Sequence, residues 1–392
     1  MVYAPAAWRR AMKVQQVLLK AMSGEYKWFE AAQILGISPR SLRRWRRRYR
    51  LWGYDGLLDA RRRTPSPRRV PFRMLQKLLQ LYRTRFMGFN VRHFLEIATR
   101  EHGITLSYTY VKQALQEAGL VARRKSRGRH RLRRERRNCF GEMLHLDGSP
   151  HAWLALRPEE RSTLIAVIDD ATSQVLYAQL ERSESTETVM TALRSVVQTH
   201  GIPACLYTDR APWAFHTPTA GQPVDKDKLT QIGRALQQLG VEHIPAYSPQ
   251  ARGRGERLNR TFQDRLVNEL KLRGITTQEA ANRYLETRFL PHHNRTFARQ
   301  PRESASAFVT AGQADLEQIF CNEEVRTVAR DNTVVLAGVR LQIAKQPGRR
   351  SCEGLKVLVR RHLDGRHSIW LGRKHLGSYS ATGSVIQPSA VA

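Results

Sequence analysis

The chain has 392 residues and a formal net charge of +32, long enough for about two to four domains with cores of their own, and its few scattered cysteines exclude a disulfide-stapled scaffold. Its four cysteines, Cys139, Cys205, Cys321 and Cys352, form no C-x-x-C pair, which excludes a cysteine-rich zinc site, and no apolar run or signal-peptide core marks a membrane or secreted protein, so a soluble, cytoplasmic protein is expected. The charge is uneven: residues 1–140 hold 34 Lys and Arg against 8 Asp and Glu, whereas residues 141–310 hold 20 against 19, so a nucleic-acid grip is joined to something else.

Residues 28–50 predict two short helices about a turn at Gly36, with Ser38 as N-cap and Pro39 as first helical residue. The spacing of Ala32, Gly36 and Leu42 is that of a helix-turn-helix. On the second helix Leu42, Trp45 and Tyr49 form an inward stripe, and Arg40, Arg43, Arg44 and Arg47 project outward as candidate DNA contacts. Arg61, Arg62 and Arg63 follow in a proline-containing linker with phosphate affinity. A second helical unit is expected next: a helix over 91–102, a stop at Gly103, an N-cap at Ser107, and a helix over 108–118 with Val111, Leu115 and Ala118 inward. Residues 122–138 then carry ten Arg or Lys and one Glu, including Arg123, Arg124 and Arg127. Such a block would order along a phosphate backbone, with nuclear localisation the competing reading.

At residue 141 the composition changes. Strands are expected over 142–147, 162–169 and 174–181, the last two about a turn at 170–172, then a helix over 186–200 and a strand over 204–208. A helix around 227–239, a strand over 241–247 and a helix through Glu256 complete a mixed α/β layer. In that last helix Leu258, Phe262 and Leu266 recur at helical spacing. Beyond residue 311, short strands at 324–329, 333–336, 339–343, 356–361 and 367–371 suggest a small β-barrel. The expected domains are 1–60, 61–121, the arginine linker 122–140, 141–310 and 311–392.

Three acids stand where chain geometry could gather them: Asp147 ending one strand, Asp209 ending another, and Glu256 opening a helix. Each has a bland alternative, a turn-forming aspartate or an acid offsetting a helix dipole. Together they make an oxygen-rich cage for two Mg²⁺ ions, or Mn²⁺, rather than zinc. Asp169 and Asp170 are rival acids read as turn chemistry, and His292 and His293 have no cysteine at zinc-ligand spacing.

The order Asp147, Asp209, Glu256 resembles the DDE transposases and retroviral-type integrases. The residues carrying the likeness are Leu144-His145-Leu146-Asp147, Leu206-Tyr207-Thr208-Asp209, and above all Ser248-Pro249-Gln250-Ala251-Arg252-Gly253-Arg254-Gly255-Glu256-Arg257-Leu258-Asn259-Arg260-Thr261. His292-His293-Asn294-Arg295 and Gln300-Pro301-Arg302-Glu303 resemble the tail of that core. The likeness covers about residues 20–310 and is nearest to insertion-sequence transposases of the ISNCY kind. It implies helix-turn-helix N-terminal units, an RNase H-like catalytic core and Asp147, Asp209 and Glu256 as catalytic metal ligands. It also implies DNA contacts from Asn259, Arg260 and Gln263 beside the basic Arg252 and Arg254, double-stranded DNA as partner, and a dimer or higher oligomer. Two departures stand out: 46 residues separate Asp209 from Glu256, more than is usual, and Arg210-Ala211 replaces the usual Asn-Gly. The rival functions are a DNA-binding regulator with an inactive core and an RNase H-like nuclease without strand transfer.

Overall fold

The computed structural model describes residues 5–58, 70–123, 135–217, 223–225, 227–247 and 253–387. Arg61, Arg62, Arg63, Arg124, Arg127 and Arg252 lie outside the described residues. The chain divides into two compact units, Met1–Leu78 and Leu79–Ala392.

The first unit holds α1 (Pro5–Met22), α2 (Trp28–Ile34), α3 (Pro39–Trp52), a 3₁₀ turn (Gly53–Leu57) and the start of α4 (Phe72–Arg85). The α2–α3 pair follows the expected pattern, and its turn depends on Gly36, whose φ of +62° puts it in the left-handed region. Ser38 Oγ accepts from Ser41 N at 3.2 Å to start α3, with Pro39 in its first turn. Leu42 is buried against Val14, Leu18, Ala31 and Ala32, and Trp45 and Tyr49 pack on the same cluster. α1 is an addition to the expected pair; its Ala11, Val14, Leu18 and Ala21, at helical spacing, supply much of that core.

In the second unit, α5 (Val91–His102) and α6 (Tyr108–Glu117) follow. Gly103 closes α5 at φ +67°, and Ser107 Oγ caps α6 by accepting from Tyr110 N. Val111 and Leu115 are buried as expected, but Ala118, the C-cap residue of α6, is exposed. The central sheet runs β1 (Met143–His151), β2 (Ser162–Asp169), β3 (Val175–Glu181), β4 (Cys205–Thr208) and β5 (Glu242–Pro245), in the order β3-β2-β1-β4-β5. β1–β3 are antiparallel, and β4 and β5 join parallel. One face packs on α7 (Thr186–His200) and α8 (Gln231–Gln238), where Leu144 and Leu146 meet Val189, Leu193, Val196 and Ile232. The other face packs on α9 (Gly253–Leu272) through Leu258, Phe262 and Leu266, which meet Trp153, Leu164 and Leu180.

α9 is followed by α10 (Gln278–Tyr284), a π-helical stretch (Leu285–Phe289) and α11 (Leu290–Phe297). This helical run lies along the outer edge of β3. The side-chain amide of Asn282 exchanges hydrogen bonds with Leu180 N and O, and that of Asn294 does the same with Val175. Twelve residues of helix span about 18 Å and five of strand about 17 Å, so the two amides match the strand's own spacing.

α5 docks on α9 through polar pairs. His93 Nε2 meets Glu269 Oε1 at 2.8 Å, and Arg265 reaches both oxygens of Glu96 at 2.6 and 3.2 Å. Asn90 also bonds Asp264.

After α12 (Leu316–Ile319) come β6 (Cys321–Thr327), β7 (Thr333–Leu336), β8 (Val339–Gln342), β9 (Lys356–His362), β10 (His367–Leu371), β11 (Lys374–Tyr379) and β12 (Val385–Ile386). The expected barrel is corrected here. The strands form an open sheet, β12-β11-β10-β9-β6, and a separate β7–β8 hairpin. The hairpin's Val334, Leu336 and Leu341 pack on Val357, Val359 and Ile369, so the strands bury their apolar faces by layering instead of closing. The free edge of β6 is also occupied: Gln231 of α8 donates to Glu323 O at 2.8 Å and accepts from Glu323 N at 3.0 Å.

Candidate active site

β1 and β4 run side by side, with His145 opposite Tyr207. Asp147, within β1, and Asp209, the residue after the end of β4, each lie two residues beyond that pair, which puts the two acids at about the same level along the sheet. Both are half-buried. Asp209 Oδ1 accepts from Ala211 N at 3.1 Å, which turns the chain away from β4.

The start of α9 lies against Asp147. A Cβ added at Gly255 would sit 3.3 Å from Asp147 Oδ2, a tight contact that the carboxylate would have to yield to by a few tenths of an ångström. One turn on, Asn259 Nδ2 donates to Asp147 Oδ2 at 2.9 Å, and Gln263 Nε2 donates to Ser149 Oγ at 3.2 Å. Two of the residues expected at DNA, Asn259 and Gln263, thus bond to β1 in this structure, while Arg260 is exposed beside Arg257. Glu256 is exposed in the first turn of α9. Among the described residues, no three His, Cys, Asp or Glu side chains stand together in a group that could hold a metal ion. The structure thus brings Asp147, Asp209 and the helix carrying Glu256 to one region without closing a three-acid cage. The donors are carboxylates with no thiol or imidazole among them, a set that fits Mg²⁺ or Mn²⁺.

The two rival acids separate. Asp169 follows the turn reading: its Oδ2 accepts from Thr172 N and Thr172 Oγ1 at 2.7 and 2.6 Å. Asp170 does more than shape a turn. It is fully buried, with Oδ1 at 2.7 Å from His145 Nε2 and in an ion pair with Arg254, and Oδ2 accepting from Arg137 N at 2.8 Å. Arg254, expected at DNA, is thus occupied within the fold, its side chain 14% exposed. The sequence held a weak signal for this: a second acid directly after one that already serves the turn.

The described residues between Asp209 and Glu256 pack back on the sheet. Phe215 stacks on His243 at 4.0 Å, His216 pairs with Asp225 in a β-bridge, and Thr230 Oγ1 donates to Ala214 O. His243 Nε2 lies 2.9 Å from Thr208 Oγ1, which itself donates to Asp209 O, and burial lowers the His243 pKa to about 4. Arg210, in place of the usual Asn, lies over the ring of Tyr247 at 5.1 Å. In the first unit Arg40, Arg43, Arg44 and Arg47 are all exposed on α3, and Arg123 is exposed in the second.

A family described as "Helix-turn-helix domain" matches residues 15–65. "Putative transposase y4bF" of Sinorhizobium fredii (strain NBRC 101917 / NGR234) is 32% identical over 363 residues, covering 91% of this chain and 78% of that protein. "Transposase for insertion sequence IS1202" of Streptococcus pneumoniae is 28% identical over 304 residues, covering 69% of this chain and 65% of that one. Among solved structures, the simian T-cell lymphotropic virus intasome in complex with PP2A regulatory subunit B56 gamma aligns over 79% of this chain and 99% of its own, at 14% identity and a TM-score of 0.33. The HTLV-2 integrase catalytic core domain in complex with magnesium (dimeric form) aligns over 39% and 90%, at 14% identity and a TM-score of 0.29. These two alignments are loose, and the fold stands on the strand order given above. No helix among the described residues is long and apolar enough to cross a membrane.

Proposed function

This chain belongs to the transposase family, and on that premise we propose that it binds the terminal inverted repeats of its own element, frees their 3′-OH ends and joins them to target DNA. The observation that carries the reading is the parallel pairing of β1 and β4, with Asp147 on β1 and Asp209 just past the end of β4, each two residues beyond the pair His145 and Tyr207, and with the first turn of α9 packed on Asp147. The sheet order is taken as that of an RNase H-like core. Asp147, Asp209 and Glu256 would hold two Mg²⁺ ions, with Mn²⁺ as substitute; when bound, the ions supply Lewis acidity at the phosphodiester.

The protein's own residues do the rest. Asn259 holds the Asp147 carboxylate in one orientation, and Asp209 is held by the backbone at Ala211. Water attacks the phosphodiester at the element's end, breaking the P–O3′ bond and leaving a 3′-OH and a 5′-phosphate. That 3′-OH then attacks a target phosphodiester in line, expelling a target 3′-OH, with no covalent protein intermediate. Arg40, Arg43, Arg44 and Arg47 on α3 grip the ends, with Arg61, Arg62, Arg63, Arg123, Arg124 and Arg127 along the phosphates and Arg252 and Arg260 near the cut. Two ends and one target call for a dimer or higher oligomer.

The test is oligonucleotide cleavage and strand transfer with Asp147→Asn, Asp209→Asn and Glu256→Gln. Each is expected to lose about a hundredfold or more of activity while keeping end binding. Near-normal joining by any one of them removes that residue from the set. Cleavage without joined products would make the protein a nuclease, and repeat binding without Mg²⁺-dependent cleavage a regulator.

A further inference from the structure

Asp170 joins three parts of the second unit that are distant in sequence. Through His145 it touches β1 two residues before Asp147 and on the same face. Through Arg254 it holds the first turn of α9 two residues before Glu256. Through Arg137 N it holds the end of the basic segment. Arg136 Nη1 adds bonds to Asp170 O and Ala171 O, both at 3.0 Å, and to Ser173 Oγ at 2.8 Å. Arg254 Nη2 donates to Glu135 O at 3.0 Å, so the same guanidinium ties the basic segment to α9.

A fully buried carboxylate is costly unless it is paired, and this one is paired to groups on both sides of the candidate site. Burial also denies it contact with DNA or solvent. With Gly255 and Asn259 packed on Asp147, the start of α9 is clamped at two points: on Asp147 directly, and on Asp170 through Arg254.

We propose that Asp170, acting through Arg254 and His145, is a positioning residue that sets the placement of Glu256 relative to Asp147. This role rests on the transposase reading above. It assigns Arg254 a place inside the fold, with DNA contact left to its exposed neighbours Arg257 and Arg260. Loosening the clamp leaves all three acids present but lets the α9 start drift, so the deficit appears in metal affinity before it appears in DNA binding.

The experiment compares Arg254→Ala, Arg254→Lys and Asp170→Asn with the wild type in the full chain. Mn²⁺ binding is measured by calorimetry, the Mg²⁺ dependence of 3′-end cleavage by gel assay, and end binding by fluorescence anisotropy. Arg254→Ala and Asp170→Asn are expected to weaken Mn²⁺ binding and raise the Mg²⁺ needed for half-maximal cleavage by about tenfold, the usual scale for partners that orient metal ligands. End binding stays at the wild-type level, and Arg254→Lys recovers part of the loss. If Asp170→Asn fails to fold, the Arg254 pair alone decides. Wild-type Mn²⁺ affinity and Mg²⁺ dependence in Arg254→Ala overturn the proposal, as does a loss confined to end binding, which would return Arg254 to the DNA. A wild type that neither binds Mn²⁺ nor cleaves overturns the metal-dependent cleavage and joining proposed above, not the clamp alone.

Discussion

His293 offers a quantitative test of the packing beneath the candidate site. It lies on α11, 5% exposed, among the rings of Phe262, Phe289 and Phe297, with centroids 4.9, 5.9 and 4.7 Å away. Burial, then the charges of Arg265 and His292, lower its pKa from 6.5 to about 4. The ring is therefore neutral in the fold, whereas the unfolded chain takes up a proton at the ordinary value. The stabilisation is fully present above pH 6.5 and is lost as the pH falls toward about 4. Its full extent is about 3 kcal/mol, of which about 2 kcal/mol disappears between roughly pH 7 and pH 5. His293→Phe removes the titration and keeps an aromatic ring in an aromatic cluster. Urea unfolding followed by near-UV circular dichroism at the two pH values should show the variant losing about 2 kcal/mol less than the wild type. His243, also held near 4, remains in the variant and sustains part of the acid sensitivity. A variant as acid-sensitive as the wild type, or a His293 ring that titrates near 6.5 by NMR, would refute the reasoning.

Two further outcomes are expected. Glu96→Ala should destabilise the second unit by about 3 kcal/mol, because it strands the buried guanidinium of Arg265, whose side chain is 7% exposed; thermal or chemical unfolding measures this. Replacing Arg40, Arg43, Arg44 and Arg47 together by Ala should weaken end binding and flatten its salt dependence, with the log–log slope falling by about 3 to 4 if all four meet phosphates. An unchanged slope would take α3 off the DNA.

Much of the fold could be read locally. The helix over 91–102 ends at a glycine, and the 162–169 strand is buried at every position, so their limits could be placed on the sequence to the residue. β6 was expected three residues late, since an edge strand with an exposed second half carries no alternation to fix its start. Barrel closure is a matter of which strands pair at long range, and nothing in short strands and turns decides it. In the site, Asp147, Asp209 and Glu256 stood out as acids at expected element ends, although β1 runs on to His151 and Asp147 lies within it, since the polar run after Asp147 gave no sign that pairing with β2 continues. The partnership of Asp170 with Arg254 joins residues 84 positions apart and could be found only in three dimensions.

The two amides that occupy the rim of β3 have a consequence for how copies of this chain could meet. At the opposite rim, β5 carries exposed Glu242 and ends on Pro245, which has no N–H to offer. The β3 rim has the backbone groups of Val175 and Leu180 already bonded, and Pro245 interrupts the β5 rim, so both rims of the central sheet are poor templates for an added strand. Contacts between copies through the central sheet would therefore fall to its helical faces and loops, and edge-to-edge pairing is left to the open C-terminal sheet, where β12 is an exposed edge.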